Sequence, residues 1–241
     1  MKKSFFITYG DKKYKNSKNR IIKEAEDSKM FDNIKAYGPN DVDKEIFSHY
    51  KDILKLARGN GYWLWKFLIL KETLNIMEKD DILVYADAGC RINKNGYKRY
   101  TDYKNMLNES NLGIISFIGN VIEKHYTTQE ILSYFNITPE DKISNSPHLQ
   151  ATVLILKKCP HAESVIDKCL EVVNFDPKLI TDYYNSSNKN NYFKENRHDQ
   201  SILSVVRKIM GSIMIPQETY STKFNSPPAT DWPFLATRIR G

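Results

Sequence analysis

The sequence predicts an α/β fold, a mixed sheet flanked by helices on both faces of a single domain. Strand and helix signals alternate through the first half of the chain, the pattern of a sheet covered on both sides. The run Ile82-Leu83-Val84-Tyr85-Ala86 is apolar without interruption, as a fully buried strand requires. The second half is more mixed, which argues against a wholly parallel sheet.

Taken in order, Ser4 to Tyr9 reads as the first strand and stops at Gly10-Asp11. Asn19 to Met30 reads as helix, and Asn33 to Tyr37 as a strand closed by Gly38-Pro39. From Asp41 to Leu56, the residues Val42, Ile46, His49 or Tyr50, and Ile53 fall near one face, predicting one helix. Arg58-Gly59-Asn60-Gly61 breaks it, and Tyr62 to Met77 predicts a long, strongly apolar helix. After the strand Ile82 to Ala86 come a helix at Tyr100 to Asn108 and a strand at Leu112 to Phe117. Gln150 to Leu156 is a further buried strand, supported by Thr152, Val153 and Ile155. Ala162 to Val173 and Asp199 to Met210 read as helices, and Ser212 to Pro216 as a last strand. The Asn-, Ser- and Lys-rich stretch Tyr183 to Asn191 reads as a surface loop. The tail, with Pro227-Pro228 and Pro233, is expected to wrap the domain irregularly. The chain is divided at about residue 118, into halves of about 1–118 and 119–241.

The chain has 241 residues, 41% of them hydrophobic and 27% charged, a globular composition. No apolar run approaches a membrane span, so none is expected, and peripheral membrane contact stays open. The start, Met1 to Gly10, is basic and then apolar, but its apolar stretch is too short for a signal peptide. Three cysteines, Cys90, Cys159 and Cys169, are widely spaced and form no metal-ligand pattern. They suggest reduced thiols and a cytoplasmic setting. The net charge of +7 suits an anionic ligand or surface, or simply solubility. Its lysines are spread along the chain, which counts against a nucleic-acid-binding module. The end, Arg-Ile-Arg-Gly, leaves open that the chain is one domain of a longer protein.

Three stretches carry candidate chemistry. Asp87 follows the buried strand and precedes Ala88-Gly89, at the strand end where open α/β sheets place ligands. A hard divalent cation suits such a carboxylate, and so does a simple turn cap. Asp199, between His198 and Gln200, stands at a helix start, where it either caps the helix or meets a polar ligand. Arg58-Gly59-Asn60-Gly61-Tyr62-Trp63-Leu64-Trp65-Lys66 combines a freed backbone with positive charge, fitting a phosphate or a packed core helix. Phosphate-loop, dinucleotide and nucleophile-elbow motifs are absent from the sequence. His161 reads as structural, His125 and His148 have no evident partner, and Lys12-Lys13 and Lys157-Lys158 read as solvated charge.

Together these stretches resemble glycosyltransferases of the GT-A fold, which implies a nucleotide-binding half at about 1–118 and a sugar and acceptor half at about 119–241. The chain is most similar to a group from large DNA viruses and bacterial surface-polysaccharide clusters. The resemblance rests on Phe6-Ile7-Thr8-Tyr9-Gly10-Asp11, the Gly-Tyr-Trp-Leu-Trp-Lys helix, Tyr85-Ala86-Asp87-Ala88-Gly89, Gln150 to Ile155, and Arg197-His198-Asp199-Gln200-Ser201. It implies a nucleotide-sugar donor, usually a UDP-sugar, with Mn²⁺ or Mg²⁺ on its diphosphate and a glycan or glycoprotein acceptor. Asp87 matches the first acid of the Asp-x-Asp motif, and Gly89 stands where the second belongs. The tail offers no histidine, so Arg238 or Arg240 is expected to neutralise the diphosphate. Thr8, Tyr9, Gly10, Arg58, Tyr62, Lys66, Ala88, Gly89, His198 and Gln200 are expected to contact the donor. Asp199 either holds the donor sugar or takes the acceptor's proton. A bacterial or host cytoplasm is the implied setting. Two other functions stay open: a catalytically weak relative that only binds, and a basic nucleic-acid-binding domain.

Overall fold

In the computed structural model, which describes residues 2–41, 44–187 and 190–239, one seven-stranded mixed sheet organises the chain. The strands are β1 (Ser4–Tyr9), β2 (Asn33–Tyr37), β3 (Ile82–Ala86), β4 (Arg91–Ile92), β5 (Ile114–Ile122), β6 (Pro147–Leu149), β7 (Val153–Lys157), β8 (Ile213–Ile215) and β9 (Phe234–Leu235). The helices are α1 (Lys15–Ser28), α2 (Lys44–His49), α3 (Lys51–Leu54), α4 (Gly59–Tyr62), α5 (Trp65–Ile76), α6 (Tyr97–Glu109), α7 (Gln129–Tyr134), α8 (Pro160–Phe175) and α9 (Asp199–Met210). The sheet order is β2-β1-β3-β7-β5-β6, with β8 also on β5, and β4 pairs β9 separately. β1 is parallel to β2 and β3, whereas β7 is antiparallel to both β3 and β5.

Period-two side chains sort the core into two layers. Ile7, Leu83, Tyr85, Leu154 and Leu156 pack against α5, α8 and α9. Phe6, Ile82, Val84, Val153 and Ile155 pack against α1 and α6. Both faces of the central strands are therefore apolar, which is why their sequence shows no alternation.

The expected helix from Asp41 to Leu56 is instead two short helices, α2 and α3, parted at Tyr50 (φ −104°, ψ 16°). Asn174 on α8 draws both His49 and Tyr50 to its side-chain oxygen, at 3.2 and 2.7 Å. Val42 lies outside the described residues, as do Asn188 and Lys189 of the loop. The apolar helix begins at Trp65 rather than Tyr62 because a left-handed turn precedes it. Lys157 is buried, not solvated, and its ammonium donates to the carbonyls of Leu107 and Ser110. His161 is structural as expected, accepting the Gly113 amide at 3.0 Å.

His148 has the partner that sequence could not show. On β6 it stands 3.1 Å from Glu123, which is fully buried after β5. Glu123 also accepts from Thr127 and from Ser204 and Lys208 of α9, tying that helix to the sheet edge. Burial alone raises a carboxyl pKa, but His148 and Lys208 overcome it and hold Glu123 down at about 2. A lowered carboxyl contributes stability that is present above pH 4.5 and lost as pH falls through 2. Glu123→Gln is therefore expected to cost about 3 kcal/mol at pH 7. Urea unfolding should show the gap between variant and parent narrowing as pH falls below 4.5.

Candidate functional site

The carboxyl ends of β1 and β3 and the amino end of β7 meet at one edge of the sheet. A cavity of about 560 Å³ opens there. Tyr9, Gly10, Asp87, Ala88, Gly89 and Arg238 of the expected residues line it, joined by Lys13, Asn60, Trp63 and Thr152. It has the size range of a small-molecule or cofactor pocket.

Asp87 opens into this cavity, its side chain 37% exposed. Its Oδ1 accepts the Tyr85 hydroxyl and lies 3.5 Å from the Lys66 ammonium. Burial holds the Tyr85 phenol well above its ordinary pKa, so it stays a donor. Lys66 is buried on α5 and stands behind Asp87 rather than in the cavity wall. It donates to Asp199 Oδ2 at 2.5 Å and to the Ala151 carbonyl at 3.1 Å. Burial lowers a lysine pKa, yet Asp199 and Asp87 overcome it, and Lys66 is held protonated. Asp199 is nearly sealed at the start of α9, and burial, reinforced by the charge of Asp87, lifts it to about 6. At neutral pH Asp199 is a carboxylate paired with the Lys66 ammonium.

The turn at Ala88 to Cys90 is clamped from outside. Arg20 donates to the carbonyls of Ala88 and Cys90, at 3.0 and 2.9 Å. The Gly89 carbonyl accepts the Ile239 amide at 2.9 Å and the Thr237 hydroxyl at 3.1 Å. A Cβ at Gly89 would meet the Arg238 backbone at 3.3 Å. The C-terminal segment thus docks on Gly89, and that docking brings Arg238 to the cavity. Arg240 lies outside the described residues.

Residues 59–63 all have positive φ, from 53° at Tyr62 to 94° at Gly61. Consecutive left-handed residues are rare, and Tyr62 and Trp63 each cost about 1–2 kcal/mol there. Glycine is needed at Gly61, where a Cβ would stand 2.6 Å from Leu54 Cα. The turn carries Asn60, which donates to the Tyr9 hydroxyl at 2.8 Å, and the Tyr9 ring stacks on Trp65 at 3.8 Å. Burial pushes the Tyr9 phenol up to about 12.

The other expected residues lie apart from the cavity lining. Thr8 is buried, and its hydroxyl finds no hydrogen-bond partner among the described residues. Arg58 and Tyr62 donate to Asp182 Oδ2, at 2.7 and 3.1 Å. His198 takes φ 56° and ψ −118°, donates Nδ1–H to the Ile180 carbonyl at 3.0 Å, and packs on Trp63. Burial holds the His198 imidazole neutral, down at about 4. Gln200, half-buried, donates Nε2 to His148 Nδ1 at 2.8 Å. Sequence missed Tyr85, whose signal was a lone phenol in the strand beside Asp87. It also missed Asp182, which gave no signal in its Tyr- and Asn-rich surroundings.

No protein-family model matches the chain, and no curated protein matches its sequence. The fold does match solved structures. Mouse xyloside xylosyltransferase 1 is similar at TM-score 0.50 and 12% identity, over 95% of this chain and 91% of that one. The bifunctional glycosyltransferase WbbM is similar at TM-score 0.50 and 11% identity, over 94% of this chain and 41% of that one. The fold is that of the GT-A glycosyltransferases. A glycosyltransferase involved in glycosylating the major capsid of PBCV-1 aligns at TM-score 0.47 and 11% identity, over 96% of this chain and 92% of that one.

The resemblance implies a divalent ion at this GT-A sheet edge. Among the described residues, no three His, Cys, Asp or Glu side chains are grouped to hold one unaided. Two carboxylates line the cavity: Asp87, beside the clamped turn, with Oδ2 accepting no hydrogen bond from the described residues, and Asp11, whose Oδ1 caps the Lys13 amide at 2.8 Å. A hard cation that fills most of its shell with phosphate oxygens and water fits one such carboxylate. Cys90 also lines the cavity, but burial keeps its thiol protonated. Among the described residues, no helix is long and apolar enough to cross a membrane.

Proposed function

We propose that this chain is a glycosyltransferase that moves a sugar from a nucleotide-sugar, a UDP-sugar, to a hydroxyl of a glycan or glycoprotein acceptor. The observation that carries the reading is Asp87, held by Tyr85 and Lys66, opening into the cavity between Arg238 and the Tyr9–Asn60 wall. Likeness of fold to a xylosyltransferase and to WbbM supports glycosyl transfer as the reaction.

Tyr9 and Asn60 offer a wall for the nucleoside. Gly10, Ala88 and Gly89 let the donor approach the backbone. Lys13 and Arg238 bring positive charge to the diphosphate. Asp87 holds Mn²⁺ or Mg²⁺ through its free oxygen. When bound with the donor, such an ion neutralises the leaving diphosphate. Lys66 fixes the orientation of Asp87, and Asp199 fixes Lys66. Gln200, bonded to His148 outside the cavity lining, takes no donor contact in this reading.

A thermal-shift panel of nucleotide sugars, with and without Mn²⁺, tests the reading. UDP-sugars are expected to raise the melting temperature by several degrees, and more with Mn²⁺ present. Absence of a shift with every nucleotide sugar would remove the donor assignment. Asp199→Asn is expected to lower kcat about a hundredfold, because the ammonium behind Asp87 loses its anchoring charge. Normal kcat with a lowered melting temperature would return Asp199 to a helix cap.

A further inference from the structure

The left-handed turn at 59–63 forms part of the cavity wall, and something must hold it there. Backbone in so sparsely populated a region persists only where its surroundings over-determine it. Inside the turn, Trp65 Nε1 donates to the Gly59 carbonyl at 2.9 Å and the Gly61 amide to the Leu56 carbonyl at 2.8 Å. Across it, one carboxylate spans both flanks. Asp182 Oδ2 accepts Arg58 Nη1 at 2.7 Å and the Tyr62 hydroxyl at 3.1 Å. Its Oδ1 accepts Asn185 Nδ2 at 2.8 Å, and His198 Nε2 lies 3.7 Å away. Asp182 is itself fixed by its own loop, since Tyr183 N and the Asn196 side chain bond within Thr181 to Asn196. Two residues expected to touch the donor, Arg58 and Tyr62, converge instead on this acid.

We propose that Asp182 is a positioning residue for donor binding. It staples Arg58 to Tyr62, holds the left-handed turn closed, and thereby keeps Asn60 on the Tyr9 hydroxyl and Trp63 against the cavity. This rests on the reading that the cavity takes a nucleotide.

The test compares the full chain with Asp182→Asn and Tyr62→Phe, using UDP as the probe. Calorimetry should show UDP affinity falling about tenfold in Asp182→Asn. With a donor sugar, KM should rise by a similar factor while kcat changes little, the split left by loss of uniform binding. Amide hydrogen exchange at residues 60–64 should quicken in both variants. Asp167→Asn, which removes an exposed partner of Lys71, serves as the control and should change none of these. The double change with Arg58→Ala should be less than additive, since both act through one contact.

A folded Asp182→Asn with unchanged UDP affinity and unchanged exchange overturns the proposal. Should that variant fail to fold, Tyr62→Phe decides, because it removes one hydroxyl alone: unchanged UDP affinity and exchange overturn the proposal, and the predicted losses uphold it. If the parent does not bind UDP, the cavity reading fails, while the exchange comparison still tells whether Asp182 holds the turn.

Discussion

Asp87→Ala is expected to lower the proposed sugar transfer by about a thousandfold or more in kcat/KM, with the fold intact. An ion on the leaving diphosphate supplies several kcal/mol of charge stabilisation, and about 4 kcal/mol corresponds to that factor. The fold survives because the Asp87 side chain is part-exposed and its side-chain contacts are Tyr85 and Lys66. Leaving the buried Tyr85 hydroxyl unpaired costs about 1–3 kcal/mol, partly offset as Asp199 loses a repelling neighbour. Product formation and thermal melting, measured side by side, check both halves. Unchanged turnover would defeat the assignment of Asp87 as the ion's carboxylate, and a collapsed melting curve would make it structural.

Lys66→Met is expected to damage both stability and activity. The ammonium sits between Asp87 and Asp199, and Asp199 has almost no access to water. Removing one partner of a buried pair costs about 3–5 kcal/mol, because the remaining charge is stranded. The pH dependence gives the cause away. A carboxyl raised in the folded state, as Asp199 is to about 6, contributes stability below its ordinary 3.8 that is lost as pH rises through 6. Without Lys66 the shift grows, so the penalty should be larger at pH 8 than at pH 5. Urea unfolding at the two values measures it, and a pH-independent penalty would mean that packing, not charge, was lost. Turnover should fall about a hundredfold, since Asp87 loses the cation that orients it.

Much of the fold was legible because burial on both faces leaves a strand apolar. Ile82 to Ala86 and Ser4 to Tyr9 could be read from that alone, and their ends placed Asp87 and Tyr9 at one edge. α9 was legible from Asp199 to Met210 because its apolar spacing is regular and Gly211 ends it. What failed depended on distant partners. Asn174 divides the helix expected at Asp41 to Leu56, and β4 forms only because the tail supplies β9. Lys157 looked solvated because the carbonyls that accept its ammonium are 47 and 50 residues away in sequence.

The sequence by itself determined the α/β layering and the candidate Asp87, Lys66 and Asp199, since hydrophobic pattern and short motifs are local. Tertiary structure decided what those residues do to one another. Only folding brings Lys66 and Asp199, separated by 133 positions, to 2.5 Å, and only folding turns Arg58, Tyr62 and His198 toward Asp182. Only folding packs the C-terminal segment against Gly89, where a Cβ would meet the Arg238 backbone at 3.3 Å, and so brings an arginine to the cavity. Charge pairing and close packing are properties of distance in space, and sequence spacing carries no record of them.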